Sequence, residues 1–128
     1  MKAQLSIEFI ILISILLIIF TVFLFSGTST RSRLIGIKSR LEAKELSDSI
    51  AFEINTAVRA GNGYERRFYV KDSLFGVSDF SISVEGYYVF VDWDKSSVSS
   101  SVITDGIVGS MSKGWNMINN TNGVIHVK

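Results

Sequence analysis

The 128-residue chain contains no cysteine and no proline, and its single histidine is His126. Without cysteine it can form no disulfide framework, no thiolate nucleophile and no cysteine zinc site. Without proline, no residue interrupts a long helix by removing a backbone donor. The net charge of +1 gives no general attraction to polyanions, so nucleic acid is not an expected partner.

Sequence motifs for catalysis or metal binding are also scarce. His126 has no catalytic partner near it in the sequence, and the chain shows no phosphate loop or nucleophile motif. Asp92 and Asp94 resemble the start of a calcium loop, but Ser97 stands where that loop needs glycine and Ile103 where it needs glutamate. We therefore expect no enzyme activity, no cofactor and no metal site.

The most prominent feature that is present is an uncharged apolar run from Phe9 to Thr30. At about 1.5 Å per residue, a helix of this length spans roughly 33 Å, close to the thickness of a bilayer's hydrocarbon core. A secretory signal peptide has a shorter apolar region that ends at a small-residue cleavage site. Residues 26–28 match such a site poorly, so the run is predicted to stay on the protein as a membrane-crossing helix.

A second pattern follows the apolar run. Apolar residues recur three or four positions apart, with charged residues between them, at Leu34, Ile37, Leu41, Leu46, Ile50, Ile54 and Val58. This spacing predicts an amphipathic helix. Since only Gly27 and Gly36 weaken the pattern, we predict one helix from about residue 5 to about residue 60, ending at the Gly61-Asn62-Gly63 turn.

Beyond Gly61 the apolar residues alternate, which predicts a small antiparallel β domain over residues 61–128. Strands are expected at residues 67–71, 80–85, 87–93, 115–118 and 124–127, and a weaker one at 98–103. Turns are expected at Gly86 and at Asn122-Gly123. The strand 87–93 has aromatic residues on both faces, so we expect it to be central and covered on both sides. The predicted fold class is α+β, with the long helix packed on the sheet.

Four residues at the start of the apolar run carry a resemblance: Gln4, Ser6, Glu8 and Phe9. After a leader that ends with Ala3, they resemble the class III signal of archaeal type IV pilin-like proteins. The resemblance implies that a prepilin peptidase cuts between Ala3 and Gln4. It also implies that the subunits polymerise through the hydrophobic helix into a helical homopolymer, a surface filament used for adhesion.

The same resemblance implies the fold of a type IV pilin, in four parts. Residues 1–3 are the leader, 4–30 the transmembrane and filament-core helix, 31–60 its amphipathic continuation, and 61–128 the β-sheet head. The implied partners are an assembly ATPase and a membrane platform protein. The implied location is the cell membrane before assembly and an extracellular filament afterwards.

Glu8 is the residue on which a physical argument for this function depends. A carboxylate at the edge of an apolar segment is costly unless a positive charge neutralises it. After the cut, the new α-amino group of Gln4 lies one helical turn from Glu8, and in a filament it could pair with Glu8 of an adjacent subunit. Gln4 and Glu8 would then set the subunit register. Alternatives are that Gln4 cyclises to a neutral form, or that Glu8 is an interfacial residue favoured by the helix macrodipole.

The charges that flank the apolar run favour a different topology. Lys2 precedes the run, whereas Arg31, Arg33, Lys38 and Arg40 follow it. The positive-inside rule therefore places the C-terminal domain in the cytoplasm, opposite to what the resemblance implies. The alternative function is a single-pass, membrane-anchored interaction or sensor domain that does not polymerise. A membrane-tethered enzyme is a third class, with no catalytic residues to support it.

Two smaller patterns bear on the surface of the protein. Asn119-Asn120-Thr121 fits the N-glycosylation sequon, and we expect Asn119 to lie in an extracellular loop. Ser6, Ser14 and Thr21 share one helix face. They allow either close packing against other helices or hydrogen bonds back to their own helix.

Overall fold

The computed structural model describes residues 2–74 and 76–128, without the side chains of residues 2–5 and 27–32. In these described ranges, one helix, α1 (Lys2–Ala60), precedes seven strands. The strands are β1 (Glu65–Val70), β2 (Phe80–Glu85), β3 (Tyr88–Trp93), β4 (Ser96–Ser101), β5 (Ile107–Gly109), β6 (Gly114–Thr121) and β7 (Val124–Val127). The chain forms two compact units, Met1–Gly36 and Ile37–Lys128. The expected α+β class with a long N-terminal helix is confirmed.

Helix α1 is continuous through both of the glycines that were expected to weaken it. It ends at Gly61, whose φ of 83° lies in the left-handed region that glycine adopts without strain. The N–H of Gly61 donates to the carbonyl of Ala57 at 3.3 Å, which satisfies one of the carbonyls left free in the last turn. The end of the helix is therefore where the sequence predicts it.

The strands form two sheets. One has the order β1-β6-β7-β5 and the other the order β2-β3-β4. The pairs β1–β6, β6–β7, β2–β3 and β3–β4 are antiparallel, as expected. Strands β5 and β7 pair in parallel, which the sequence did not predict. Strand β5 has only three residues and ends at Gly109, so it offers no alternating pattern to recognise.

The second half of α1 packs against strands of both sheets to form one hydrophobic core. The buried helix residues are Ala43, Leu46, Ile50, Ala51, Ile54 and Ala57, and fully buried strand residues include Val70, Val89, Val91, Ile118 and Ile125. Apart from the adjacent pair Ile50 and Ala51, the helix residues recur every three or four positions, so they lie on one face. A buried polar contact joins the two layers, because the hydroxyl of Ser47 donates to the carbonyl of Val89 at 3.1 Å.

Strand β3 is the centre of its sheet, as expected, but only one of its faces belongs to the core. Val89, Val91 and Trp93 are buried, whereas Tyr88 on the other face is 51% exposed. The ring of Tyr88 lies 6.2 Å from that of Phe90, so these aromatic side chains pack on each other at the surface. The expectation of two covered faces was wrong because aromatic content was taken as a sign of burial.

The tight turns have positive φ angles at residues that adopt such angles readily. Gly86 (φ 57°) joins β2 to β3, and Asn122 (φ 54°) with Gly123 (φ 86°) joins β6 to β7, both as predicted. Asp94 (φ 49°) belongs to the turn between β3 and β4, and aspartate tolerates this left-handed conformation better than most residues. The segment that resembled a calcium loop is therefore a hairpin turn.

Candidate functional site

The candidate site is the apolar part of α1 within the unit Met1–Gly36. Residues Ser6–Ser26 are long and apolar enough to cross a membrane. Their large apolar side chains are exposed, from 43% for Ile13 to 76% for Phe23. Apolar surface of this extent is stable in lipid or against other apolar helices, and it is not stable in water.

Glu8 lies at the N-terminal end of an apolar stripe on this segment. The stripe is formed by Glu8, Ile11, Leu12, Ile15, Leu16 and Ile19, which border a shallow groove of about 500 Å³. Their spacing of three and four residues keeps them on one helix face. Glu8 is the only charged residue from Ser6 to Ser26, and its side chain is exposed in the single chain. The stripe thus offers an apolar surface that ends in one carboxylate.

The position of Glu8 within α1 bears on why the carboxylate is there. The helix begins at Lys2 and its first turn contains no acidic residue. Glu8 lies beyond that turn, where the macrodipole effect has already faded. If the chain were cut before Gln4, Glu8 would still lie outside the first turn. The helix macrodipole therefore contributes little at Glu8, and the partner of its carboxylate stays a prediction.

The two hydroxyl groups in the middle of the segment bond to their own helix. Ser14 Oγ donates to the carbonyl of Ile10 at 2.8 Å, and Thr21 Oγ1 donates to the carbonyl of Leu17 at 2.8 Å. This is one of the two arrangements that the sequence allowed. Because both protons are used internally, the segment presents a nearly apolar surface in which Glu8 carries the one strong polar group.

The structure describes some residues of the predicted signal with their side chains and others by their backbone alone. The backbones of Ala3 and Gln4 belong to α1, but their side chains lie outside the described residues. Ser6 and Phe9 are exposed, Phe9 by 64%. Cleavage between Ala3 and Gln4 and the register contact of Gln4 with Glu8 thus stay predictions.

A cluster in the second unit brings a lysine and a serine together in a way that resembles a catalytic pair. Lys44 Nζ donates to Ser100 Oγ at 2.9 Å and to Asp48 Oδ1 at 2.7 Å, and Ser100 Oγ donates to Asp48 Oδ1 at 2.6 Å. The Lys44 side chain is half exposed and forms an ion pair with Asp48. The hydrogen bonds from Lys44 and Ser100 lower the pKa of Asp48. The cluster fastens α1 to β4, which the sequence did not indicate.

Asn119 lies within β6, which corrects the prediction that the sequon is in a loop. It pairs with Glu65 of β1 on one side and with His126 of β7 on the other. Its Oδ1 is buried without a hydrogen-bond partner. The prediction was wrong because β6 continues past the apolar residues Trp115–Ile118 into the polar residues of the sequon. Whether Asn119 carries a glycan stays a prediction.

Three acidic residues lie near the β3–β4 turn, but they are not placed to hold a metal ion together. Asp79, Asp92 and Asp94 border one shallow cleft. Within the described ranges 2–74 and 76–128, no three histidine, aspartate or glutamate side chains are placed to hold a metal ion. His126, on β7, lies in register with Asn119 and not beside a carboxylate of its own strand.

Taken together, the fold and the site define an α+β protein whose N-terminal apolar helix can span a membrane. Comparison of the chain with protein-family models, with curated proteins and with solved structures found no significant match. The function is therefore inferred from the residues and their geometry.

Proposed function

We propose that this protein is a structural subunit of an archaeal type IV pilus-like surface filament that serves adhesion or surface attachment. The observation that carries the proposal is the Ser6–Ser26 segment, with exposed apolar side chains all round and a single carboxylate at its N-terminal end. The order Gln4, Ser6, Glu8, Phe9 in front of that segment supports it. The segment would serve first as a membrane anchor and then as the core of a polymer.

Assembly requires that the segment leave lipid for a bundle of identical helices. Lipid tails and leucine side chains are similarly apolar, so this exchange has little hydrophobic driving force in either direction. Packing and polar contacts decide the outcome. Since Ser14 and Thr21 bond to their own helix, Glu8 is the group that can make the transfer selective.

Glu8 would select neighbours that are correctly staggered. A cut before Gln4 creates an α-amino group near the end of the apolar stripe, and in a neighbouring copy this amine can pair with Glu8. A buried charge without its partner costs on the order of 3 to 5 kcal/mol. Only a stagger that brings the amine to the carboxylate avoids that cost, so the pair fixes the axial register.

The proposal requires the machinery that builds such filaments. A prepilin peptidase removes residues 1–3, and an assembly ATPase with a membrane platform protein moves subunits from the membrane into the growing polymer. The β-sheet unit then faces the outside of the cell.

Two measurements test the proposal. The intact mass of the protein from its native cells should correspond to loss of Met1, Lys2 and Ala3 alone. Electron microscopy should show surface filaments that contain the chain. A mass that includes the first three residues, or membrane-held protein without filaments, would contradict it.

A variant of Glu8 tests the role of the carboxylate. Glu8→Ala should leave abundance, processing and membrane insertion unchanged and should reduce filaments at least tenfold, because 3 kcal/mol corresponds to more than a hundredfold in an equilibrium. Leu17→Ala is the control, since Leu17 is 59% exposed on the helix side opposite the Glu8 stripe. Filaments at normal abundance in Glu8→Ala would show that the carboxylate does not set the register.

The second candidate function is a single-pass, membrane-anchored interaction or sensor domain that does not polymerise. The observation that favours it is the basic residues that follow the apolar segment, Arg31, Arg33, Lys38 and Arg40. It predicts that the first three residues are retained and that the C-terminal unit is protected from protease added outside intact cells. The filament proposal predicts the reverse for both measurements.

A further inference from the structure

The unit Ile37–Lys128 contains an apolar groove between α1 and β4. It is lined by Ile37, Arg40, Leu41 and Lys44 from the helix and by Ser97, Val98 and Ser99 from the strand, and its volume is about 530 Å³. Ile37 is 57% exposed and Leu41 is 65% exposed, so their apolar side chains are largely open to solvent. Among the described residues, β4 is an edge strand whose one partner is β3. The groove is thus an accessible, mainly apolar surface with two cationic residues.

The same unit carries a large apolar side chain that has no place in the core. Phe52 is 64% exposed. At about 100° per residue it points about 160° away from the buried Ile50 and Ile54, so it lies on the outer side of α1. Full burial of a phenylalanine side chain contributes about 1.5 to 3 kcal/mol, so an exposed phenylalanine is a candidate anchor for association.

Phe52 cannot occupy the groove of its own molecule. The helix side of the groove and Phe52 belong to the same helix, α1, and Phe52 lies eight residues beyond Lys44, or roughly 12 Å along the axis from the near end of the groove. A second copy can supply the phenylalanine. A contact in which a side chain on one surface fits a groove on a different surface is heterologous. Repeated from copy to copy, such contacts generate an open helical polymer unless the rotation between copies closes them into a ring.

The charges near the two surfaces are complementary. Glu45 is exposed and lies seven residues before Phe52, hence on the same side of the helix and roughly 10 Å from it along the axis. The two ends of the groove on the helix, Ile37 and Lys44, are also seven positions apart. With Phe52 at the Lys44 end of a parallel neighbour, Glu45 of the same copy reaches the level of Ile37, which is less than one helical turn from Arg40. The carboxylate is then within reach of the long guanidinium side chain.

We propose that the groove is the docking site for Phe52 of a second copy of this chain, with Glu45 of that copy paired to Arg40. The inference rests on the proposed filament function and adds a second subunit contact to it, outside the apolar segment. The two copies are displaced by about eight residues, which is roughly 12 Å along parallel helices.

Disulfide cross-linking tests the contact, because the chain has no cysteine of its own. Two differently tagged full-length chains are co-expressed, one with Phe52→Cys and the other with Ser99→Cys, and membranes and filaments are mildly oxidised. Each chain then has one cysteine, so any disulfide joins two copies. The matched control replaces Ser99→Cys with Ser81→Cys, an exposed serine on β2 at the opposite edge of the same sheet.

We expect the 52–99 disulfide at a yield at least fivefold above 52–81, 52–52 and 99–99. Arg40→Glu or Glu45→Arg alone should lower that yield at least fivefold. Arg40→Glu in the Ser99→Cys chain, combined with Glu45→Arg in the Phe52→Cys chain, exchanges the two charges and should restore the yield. No 52–99 disulfide, or equal yields at the control position, would overturn the inference.

The result separates this inference from the filament proposal. Filaments without a 52–99 disulfide would leave the filament function standing and remove the groove contact. A specific 52–99 disulfide in a chain that keeps residues 1–3 and forms no filaments would support the groove contact and remove the polymer function.

Discussion

The side chain of Asn120 closes the last turn of α1: its Nδ2 donates to the carbonyl of Ala57 at 2.9 Å. Its Oδ1 accepts from the N–H of Gly123 at 3.0 Å, in the turn between β6 and β7. Asn120 is buried, so both bonds replace contacts with water. One side chain of a central strand therefore holds the end of the helix and a hairpin turn in place.

The first prediction concerns the loss of these bonds. Asn120→Ala removes both bonds, but the carbonyl of Ala57 still accepts from the N–H of Gly61 and the exposed N–H of Gly123 can bond water, so the free energy of unfolding should fall by about 1 to 2 kcal/mol. Urea unfolding of the full chain in detergent, followed by the fluorescence of the buried Trp93, measures the change. Asn62→Ala is the control, since it removes one exposed hydrogen bond to the N–H of Asn122 and should cost under about 0.5 kcal/mol. Equal losses in the two variants would contradict the prediction.

The second prediction concerns pH. Hydrogen bonds from Lys44 and Ser100 lower the pKa of Asp48 in the folded state. The contribution of Asp48 to stability is therefore complete above its unfolded pKa of about 4, and it is lost as the pH falls through the lower folded pKa. Asp48→Asn should lower stability at pH 7 and weaken the decline in acid. Because the Asp48 side chain is 56% exposed, the effect should be below about 1 kcal/mol.

Unfolding curves at pH 7, 4 and 3 measure this difference. The natural protein and Asp48→Asn should converge as the pH falls. Asp72→Asn is the comparison, because its carboxylate accepts from the Tyr69 hydroxyl at 2.6 Å instead of from a cation. A gap between the natural protein and Asp48→Asn that stays constant from pH 7 to pH 3 would show that the bonds do not depend on the charge of Asp48.

The third prediction compares two glycines. A Cβ at Gly109 would lie 1.9 Å from the carbonyl oxygen of Val127, at a φ of 115° that other residues rarely adopt. Gly109→Ala should therefore destabilise the β5–β7 pair by at least about 2 kcal/mol. Gly36 lies inside α1 with nothing within 4 Å, so Gly36→Ala should stabilise the helix by about 0.5 to 1 kcal/mol. Thermal unfolding should shift in opposite directions, and shifts of the same sign would refute the argument.

The fourth prediction concerns the sequon. Asn119 lies between two paired strands and its side-chain oxygen is buried, so the folded protein presents it poorly to a glycosyltransferase. We expect the intact mass of the protein from native cells to show no glycan at Asn119. Thr121→Ala, which removes the sequon, should then leave the mass otherwise unchanged. A glycan lost in Thr121→Ala would mean that modification takes place before β6 pairs.

The sequence predicted the elements that have a strong period. The helix to residue 60, the strands β2 and β7 and the turns at Gly86 and Asn122-Gly123 follow from apolar spacing and from residues that adopt a positive φ. Strand β5 could not be predicted because it is three residues long and pairs in parallel. The end of β6 could not be predicted because Asn119 and Asn120 look like loop residues until their neighbours in the sheet are known.

The candidate sites also differ in how far the sequence alone could predict them. Glu8 could be found from sequence because it is a lone charge beside an apolar run. The groove beside β4 could not, because it joins Leu41 to Val98, which are far apart in the chain, and no local pattern links them. Phe52 looked like an ordinary helix residue until the structure placed it opposite the core.

The strand order β1-β6-β7-β5 has a consequence for biogenesis. Strand β5 leaves the ribosome before β6 and β7, yet within the part of the chain that the structure describes it pairs with β7 alone. The four-stranded sheet therefore stays open until residues 124–127 have been made. The apolar segment emerges long before that point, so it meets the insertion machinery while the C-terminal unit is still unfolded. If the C-terminal unit is exported, as the filament proposal requires, the strand order leaves time for an unfolded chain to cross the membrane before the sheet closes.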